Sequence, residues 1–102
     1  MARIVILYPN TPGAPFDMDY YTQKHLELVR SSFGETVEHI SVYKGLGGPD
    51  GAPATFAVST AIEFRDLPSL GAALEQNAEK ISQDVPNFTT IVPMIQIEDR
   101  VV

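Results

Sequence analysis

Apolar and polar residues alternate along this chain in two rhythms. Residues 3–8, "RIVILY", are β-branched or aromatic and run into Pro9, which predicts a first strand. "PNTPGAP" follows, a loop by its prolines and glycine. From Asp17 the period changes to three and four, predicting a helix with Asp17 as N-cap. Phe16 and Tyr21 take the spacing of a hydrophobic staple, and Gly34 is the expected stop. Residues 36–46 and 55–65 read as second and third strands joined by the glycine-rich turn "GGPDGAPA". Asp66 is the expected cap of a second helix with Pro68 in its first turn and a stripe of Leu67, Leu70, Leu74, Ala78 and Ile81 that fades before Pro86. Residues 89–98 predict a last strand, and Pro93 places it at a sheet edge.

The order β-α-β-β-α-β is the split-βαβ, ferredoxin-like arrangement of the α+β class, here one domain over residues 1–102. Two helices cover one face of such a sheet. The strands, however, are apolar on both sides: the third sets Phe56, Val58, Ile62 and Phe64 against Ala57, Ser59 and Ala61, and the fourth sets Ile91, Ile95 and Ile97 against Val92 and Met94. A second copy of the chain is the simplest cover for the other face, so a homodimer is expected.

Composition narrows the partners. Seven basic against 13 acidic residues give a formal charge of −6, and no segment concentrates the basic ones, which argues against nucleic acid and anionic membrane. The chain has no cysteine, so disulfides, thiolate nucleophiles and Cys-ligated zinc are excluded. "MARIVILYPN" has too short an apolar run for a signal peptide or membrane span, and a cytoplasmic location is the expectation.

On a wheel of about 100° per residue, Met18, Tyr21, Thr22, His25, Leu26, Leu28, Val29, Ser32 and Phe33 share one side of the first helix, and Asp19, Tyr20, Gln23, Lys24, Glu27, Arg30 and Ser31 the other. His25 therefore sits inside the apolar stripe, one turn after Tyr21. Two readings stay open: a core histidine satisfied by a carbonyl or hydroxyl, or an acid/base group in a pocket between helix and sheet, kept neutral by apolar walls and hydrogen-bonded to Tyr21.

"LYPN" closing a strand, a proline-rich loop and then "FDMDYYTQKHLELV" resemble the EthD-like family of the dimeric α+β barrel superfamily. Its pattern is a strand ending in Tyr-Pro, an F-D-x-x-Y-Y start and a His four residues after the second Tyr. The resemblance implies a homodimer with one small-molecule cavity per subunit between sheet and helices. Family relatives accompany ether-degrading oxygenase systems, and the wider superfamily includes cofactor-free monooxygenases, lactone isomerases, polyketide cyclases and haem-degrading enzymes. Carried onto this chain, it implies His25 and Tyr21 as catalytic residues and Tyr8 as a substrate contact. Leu28 and Val29, on the same stripe, are further candidate substrate contacts.

Other chemistry is weaker. His39 is expected on the sheet surface or a dimer face, because Glu38 beside it points to the opposite side. Two histidines without cysteine do not make a three-histidine zinc site, no serine lies in a G-x-S-x-G elbow, and "GLGGPDG" opens no helix, so no metal or cofactor is expected. Three functions remain. The first is a cofactor-free oxidoreductase, isomerase or cyclase using the His/Tyr pair on a small apolar or aromatic oxygenated substrate. The second is a non-catalytic ligand carrier or auxiliary of an oxygenase pathway. The third is a structural dimer.

Overall fold

A computed structural model describes residues 1–102. Four strands, β1 (Ala2–Pro9), β2 (Val37–Lys44), β3 (Phe56–Phe64) and β4 (Met94–Asp99), form one antiparallel sheet in the order β2-β3-β1-β4. The first helix runs unbroken through Met18–Tyr20, a π turn at Tyr21–His25 and Leu26–Phe33. The second spans Leu67–Asp84 and passes into a 3-10 turn at Val85–Asn87. The chain is thus a ferredoxin-like α+β fold, with β4 at one edge of the sheet and Pro93 just before its first residue rather than within it. No helix is long and apolar enough to cross a membrane.

Local chemistry sets the boundaries. Asp17 accepts the backbone N–H of Tyr20 at 3.0 Å and Asp66 that of Ser69 at 2.8 Å, so each satisfies an N–H that the helix cannot pair. The first helix ends at Gly34, whose φ of +71° is left-handed and therefore suited to a residue without Cβ. Phe16 and Tyr21 form the expected staple, with ring centroids 5.1 Å apart. After β2, a Cβ on Gly45 would meet the Phe56 carbonyl oxygen at 2.0 Å, so this position admits only glycine against its neighbour strand.

Register places Ile4 between Ile62 and Ile97, and Tyr8 opposite Val58. Ala2, Ile4, Ile62 and Phe64 consequently meet Val29, Phe33, Leu70 and Ala73 from the helices in one core cluster. A second cluster gathers Tyr8, Tyr21, Leu26, Val58, Phe88 and Ile91 at the other end. Burial of each large side chain contributes about 1.5–3 kcal/mol.

Two expectations need correction. The last strand begins at Met94 rather than at residue 89, because Thr89 is engaged elsewhere: it bridges to Phe16, and its hydroxyl donates to the Pro15 carbonyl at 2.6 Å. Ile91 is buried as part of that strap, before the sheet begins. In the second helix Leu67 is exposed and Ala73 buried, so the core line starts one turn later than the apolar stripe suggests. The opposite face of the sheet carries Leu7, Ser59, Ala61, Tyr43 and Met94, and neither helix covers it.

Candidate functional site

The site is built around an irregularity in the first helix. The N–H of Leu26 reaches the carbonyl of Tyr21, five residues back, making a π turn over Tyr21–His25. Such a turn holds one residue more than an α turn and delays the helical phase. The delay alters the wheel: Tyr21, His25 and Leu26 are all buried, Thr22 is exposed against expectation, and Tyr20 turns half inward.

Tyr21 and His25 stack, their ring centroids 5.3 Å apart and their planes inclined by 18°. Stacking takes the place of the hydrogen bond anticipated between them. The Tyr21 hydroxyl instead shares a 2.5 Å hydrogen bond with Thr60 of β3, because the stapled ring points across the interface to the sheet. His25 finds its partner on the second helix, where Nδ1 lies 2.9 Å from Oδ2 of Asp84. Oδ1 of the same carboxylate accepts from the Tyr20 hydroxyl at 2.7 Å and from the Asn87 amide at 2.9 Å. Nε2 of His25 makes no hydrogen bond within the protein.

Phe88 closes this cluster. Its ring centroid lies 4.7 Å from His25, 4.9 Å from Tyr21, 5.3 Å from Phe16 and 5.9 Å from Tyr8. Tyr8 meets Tyr21 edge to face at 5.8 Å. The structure thus brings Tyr8, Tyr21 and His25 together. Val29 packs in the other core cluster, and Leu28 is half-buried outside both. His39 is exposed on the uncovered sheet face, in register with Glu63 and beside an irregularity in β2.

The electrostatics follow from burial and partners. Burial pushes the Asp84 carboxyl up, but hydrogen bonds from His25, Asn87 and Tyr20 outweigh it and hold the group below the usual carboxylate range. Burial raises the Tyr8 phenol far above its usual value, and the neighbouring Tyr21 adds to this. Tyr21 is also raised by burial, with its hydrogen bond to Thr60 working against the shift. Tyr20 is raised first by its hydrogen bond to Asp84. These phenols therefore donate hydrogen bonds rather than carry charge at neutral pH.

Sequence reading missed Asp84, Asn87, Tyr20, Thr60 and Phe88. One signal was present: Asp84 closes a helix, where the dipole disfavours a carboxylate, so an acid there needs donors from elsewhere. Two cavities lie apart from this cluster. One, of about 320 Å³, includes Arg3, Glu63, Glu98 and Arg100; the other, of about 420 Å³, includes Arg30, Glu38 and His39. Neither is lined by His25.

Comparison with solved structures decides the family. An EthD-like protein from Ralstonia eutropha shares 33% of residues, with a TM-score of 0.90 over 99% of this chain and 92% of that one. The chain belongs to the EthD-like family. This EthD-like chain is also similar to an ethyl tert-butyl ether degradation (EthD) family protein from Bacillus halodurans, at 19% identity, 99% coverage of both chains and a TM-score of 0.77. It shares its fold with SnoaB, a cofactor-independent oxygenase from Streptomyces nogalater, at 7% identity, 99% and 92% coverage and a TM-score of 0.57. No protein-family profile and no curated protein sequence matches it.

Proposed function

We propose that this EthD-like protein is a homodimer whose His25/Tyr21 site moves a proton on a small apolar or aromatic oxygenated substrate, without a bound cofactor. The observation that carries the reading is a buried imidazole tied to a carboxylate at Nδ1 while Nε2 has no protein partner. An imidazole held in this way is a general base when neutral and a general acid once protonated. On a carbon acid beside a carbonyl, Nε2 takes the proton and the electron pair moves onto the carbonyl oxygen. The buried phenol of Tyr8 or Tyr21 donates a hydrogen bond to that oxygen. Return of the proton to a different atom completes an isomerisation, whereas attack of the enolate carbon on a second carbonyl of the same molecule, whose new alkoxide takes the proton from Nε2, completes a cyclisation. Leu28 and Val29 enter as substrate contacts only where the substrate extends along the helix.

The uncovered sheet face supports the homodimer. The alternative is a carrier or auxiliary beside an oxygenase, which would hold the same kind of ligand at His25 and Tyr21 without turning it over. Deuterium exchange into small aryl ketones separates the two. The acid/base reading predicts exchange at the carbon beside the carbonyl, lost in His25→Gln. The auxiliary reading predicts that the same ketones move the imidazole NMR signals without exchanging. Neither exchange nor a shift across the set would leave both readings without support.

A further inference from the structure

We infer that Asp84 is a positioning residue that fixes His25 in the Nδ1–H tautomer and so leaves the Nε2 lone pair as the working end of the site. The inference deepens the proton-transfer reading and rests on it for its functional meaning. Its tautomer is set by the geometry alone.

Three groups meet the carboxylate, and they divide its oxygens. Tyr20 and Asn87 both donate to Oδ1, at 2.7 and 2.9 Å, which leaves Oδ2 with His25 as its one partner, at 2.9 Å. A carboxylate only accepts hydrogen bonds, so the hydrogen between Oδ2 and Nδ1 belongs to the ring. A neutral imidazole has one N–H, and Nε2 is then a bare acceptor. Asn87 further braces the pair by donating to the Tyr20 hydroxyl at 3.3 Å.

The local placement argues that Asp84 serves the ring rather than its own helix. Asp84 is the last residue of the second helix, where the carbonyl ends repel a negative charge. It gives that helix no cap, and its donors come from the first helix and from the turn that follows. The π turn at Tyr21–His25 brings Tyr20 and His25 together onto the carboxylate. The ring is 3% exposed and the Asp84 side chain 15%, so the carboxylate is the more solvent-exposed partner of the pair.

Asp84→Asn gives a directional test, because the Tyr20 hydroxyl and the Asn87 amide as they stand both donate to the Oδ1 position. The new amide oxygen keeps both bonds by taking that position, which turns the amide N–H toward Nδ1 and drives the ring hydrogen to Nε2. Nitrogen-15 imidazole NMR of the intact protein, with the ring uncharged, reads the tautomer directly. The expected result is Nδ1–H as the major form in the wild type and Nε2–H in Asp84→Asn, with aryl-ketone exchange falling as the lone pair leaves Nε2. A wild-type ring carrying its hydrogen on Nε2 overturns the inference without recourse to a variant. So does a folded Asp84→Asn protein with the wild-type tautomer. The proton-transfer reading fails differently: His25→Gln retains exchange while the wild-type ring still shows Nδ1–H.

Discussion

Removing one hydroxyl tests how the helix is locked to the sheet. Tyr21→Phe keeps the ring that packs against Tyr8, Phe16, His25 and Phe88, and deletes the hydroxyl shared with Thr60. Thr60 is 0% exposed, and its hydroxyl has no other hydrogen-bond partner, so the variant strands a buried polar group. That loss costs about 1–3 kcal/mol. Thr60→Val nearly preserves shape and strands the Tyr21 hydroxyl instead, at a similar cost. The double variant removes both groups and should cost far less than the sum, with a coupling of about 1–3 kcal/mol. Urea unfolding at one fixed protein concentration, with unchanged m, measures all four proteins, and fixing the concentration keeps any contribution from self-association equal among them. For a domain of this size each kcal/mol moves Tm by about 4–8 °C. Costs that add within about 0.5 kcal/mol would refute a shared buried hydrogen bond.

Asp17→Ala removes the side chain that accepts the Tyr20 N–H and should cost about 1 kcal/mol in the same unfolding assay. Tyr8 and Tyr21 have folded values raised above the ordinary 10, so their contribution is fully present below pH 10 and is lost as pH rises through the folded values. Phenolate absorbance should therefore lag behind that of the unfolded chain and catch up as the protein unfolds in alkali. Asp84 has the opposite sign: its contribution is present above its ordinary 3.8 and lost as pH falls below it, so Asp84→Asn should flatten the acid limb of a stability profile. Light scattering at micromolar concentration should give twice the 11.2 kDa chain mass, and a stable monomer would refute the sheet-to-sheet dimer.

Periodicity made the element order legible, because a strand's two-residue period and a helix's three-to-four spacing are written residue by residue. Caps at Asp17 and Asp66 and the stop at Gly34 were legible for the same local reason. The start of β4 was not: Thr89 and Ile91 look like strand residues, yet the bridge to Phe16 holds that stretch as a strap over the second cluster. In the site, His25 stood out as an ionisable ring on an apolar stripe. Its partner did not, because Asp84 lies 59 residues away and reaches the ring only through helix packing. The π turn was hidden as well, since a wheel drawn at constant pitch sends Thr22 inward and Tyr20 outward.

The central claim is that Nε2 of His25 is the working atom of a small-molecule site. A crystal structure of the purified protein, with whatever ligand it retains or with an aryl ketone soaked in, tests this most directly. The account predicts density for an oxygenated ligand within hydrogen-bond distance of Nε2, with Asp84 still on Nδ1. A ligand bound only in a cavity away from His25, or Nε2 hydrogen-bonded to a protein group with Phe88 packed over it, would contradict the claim.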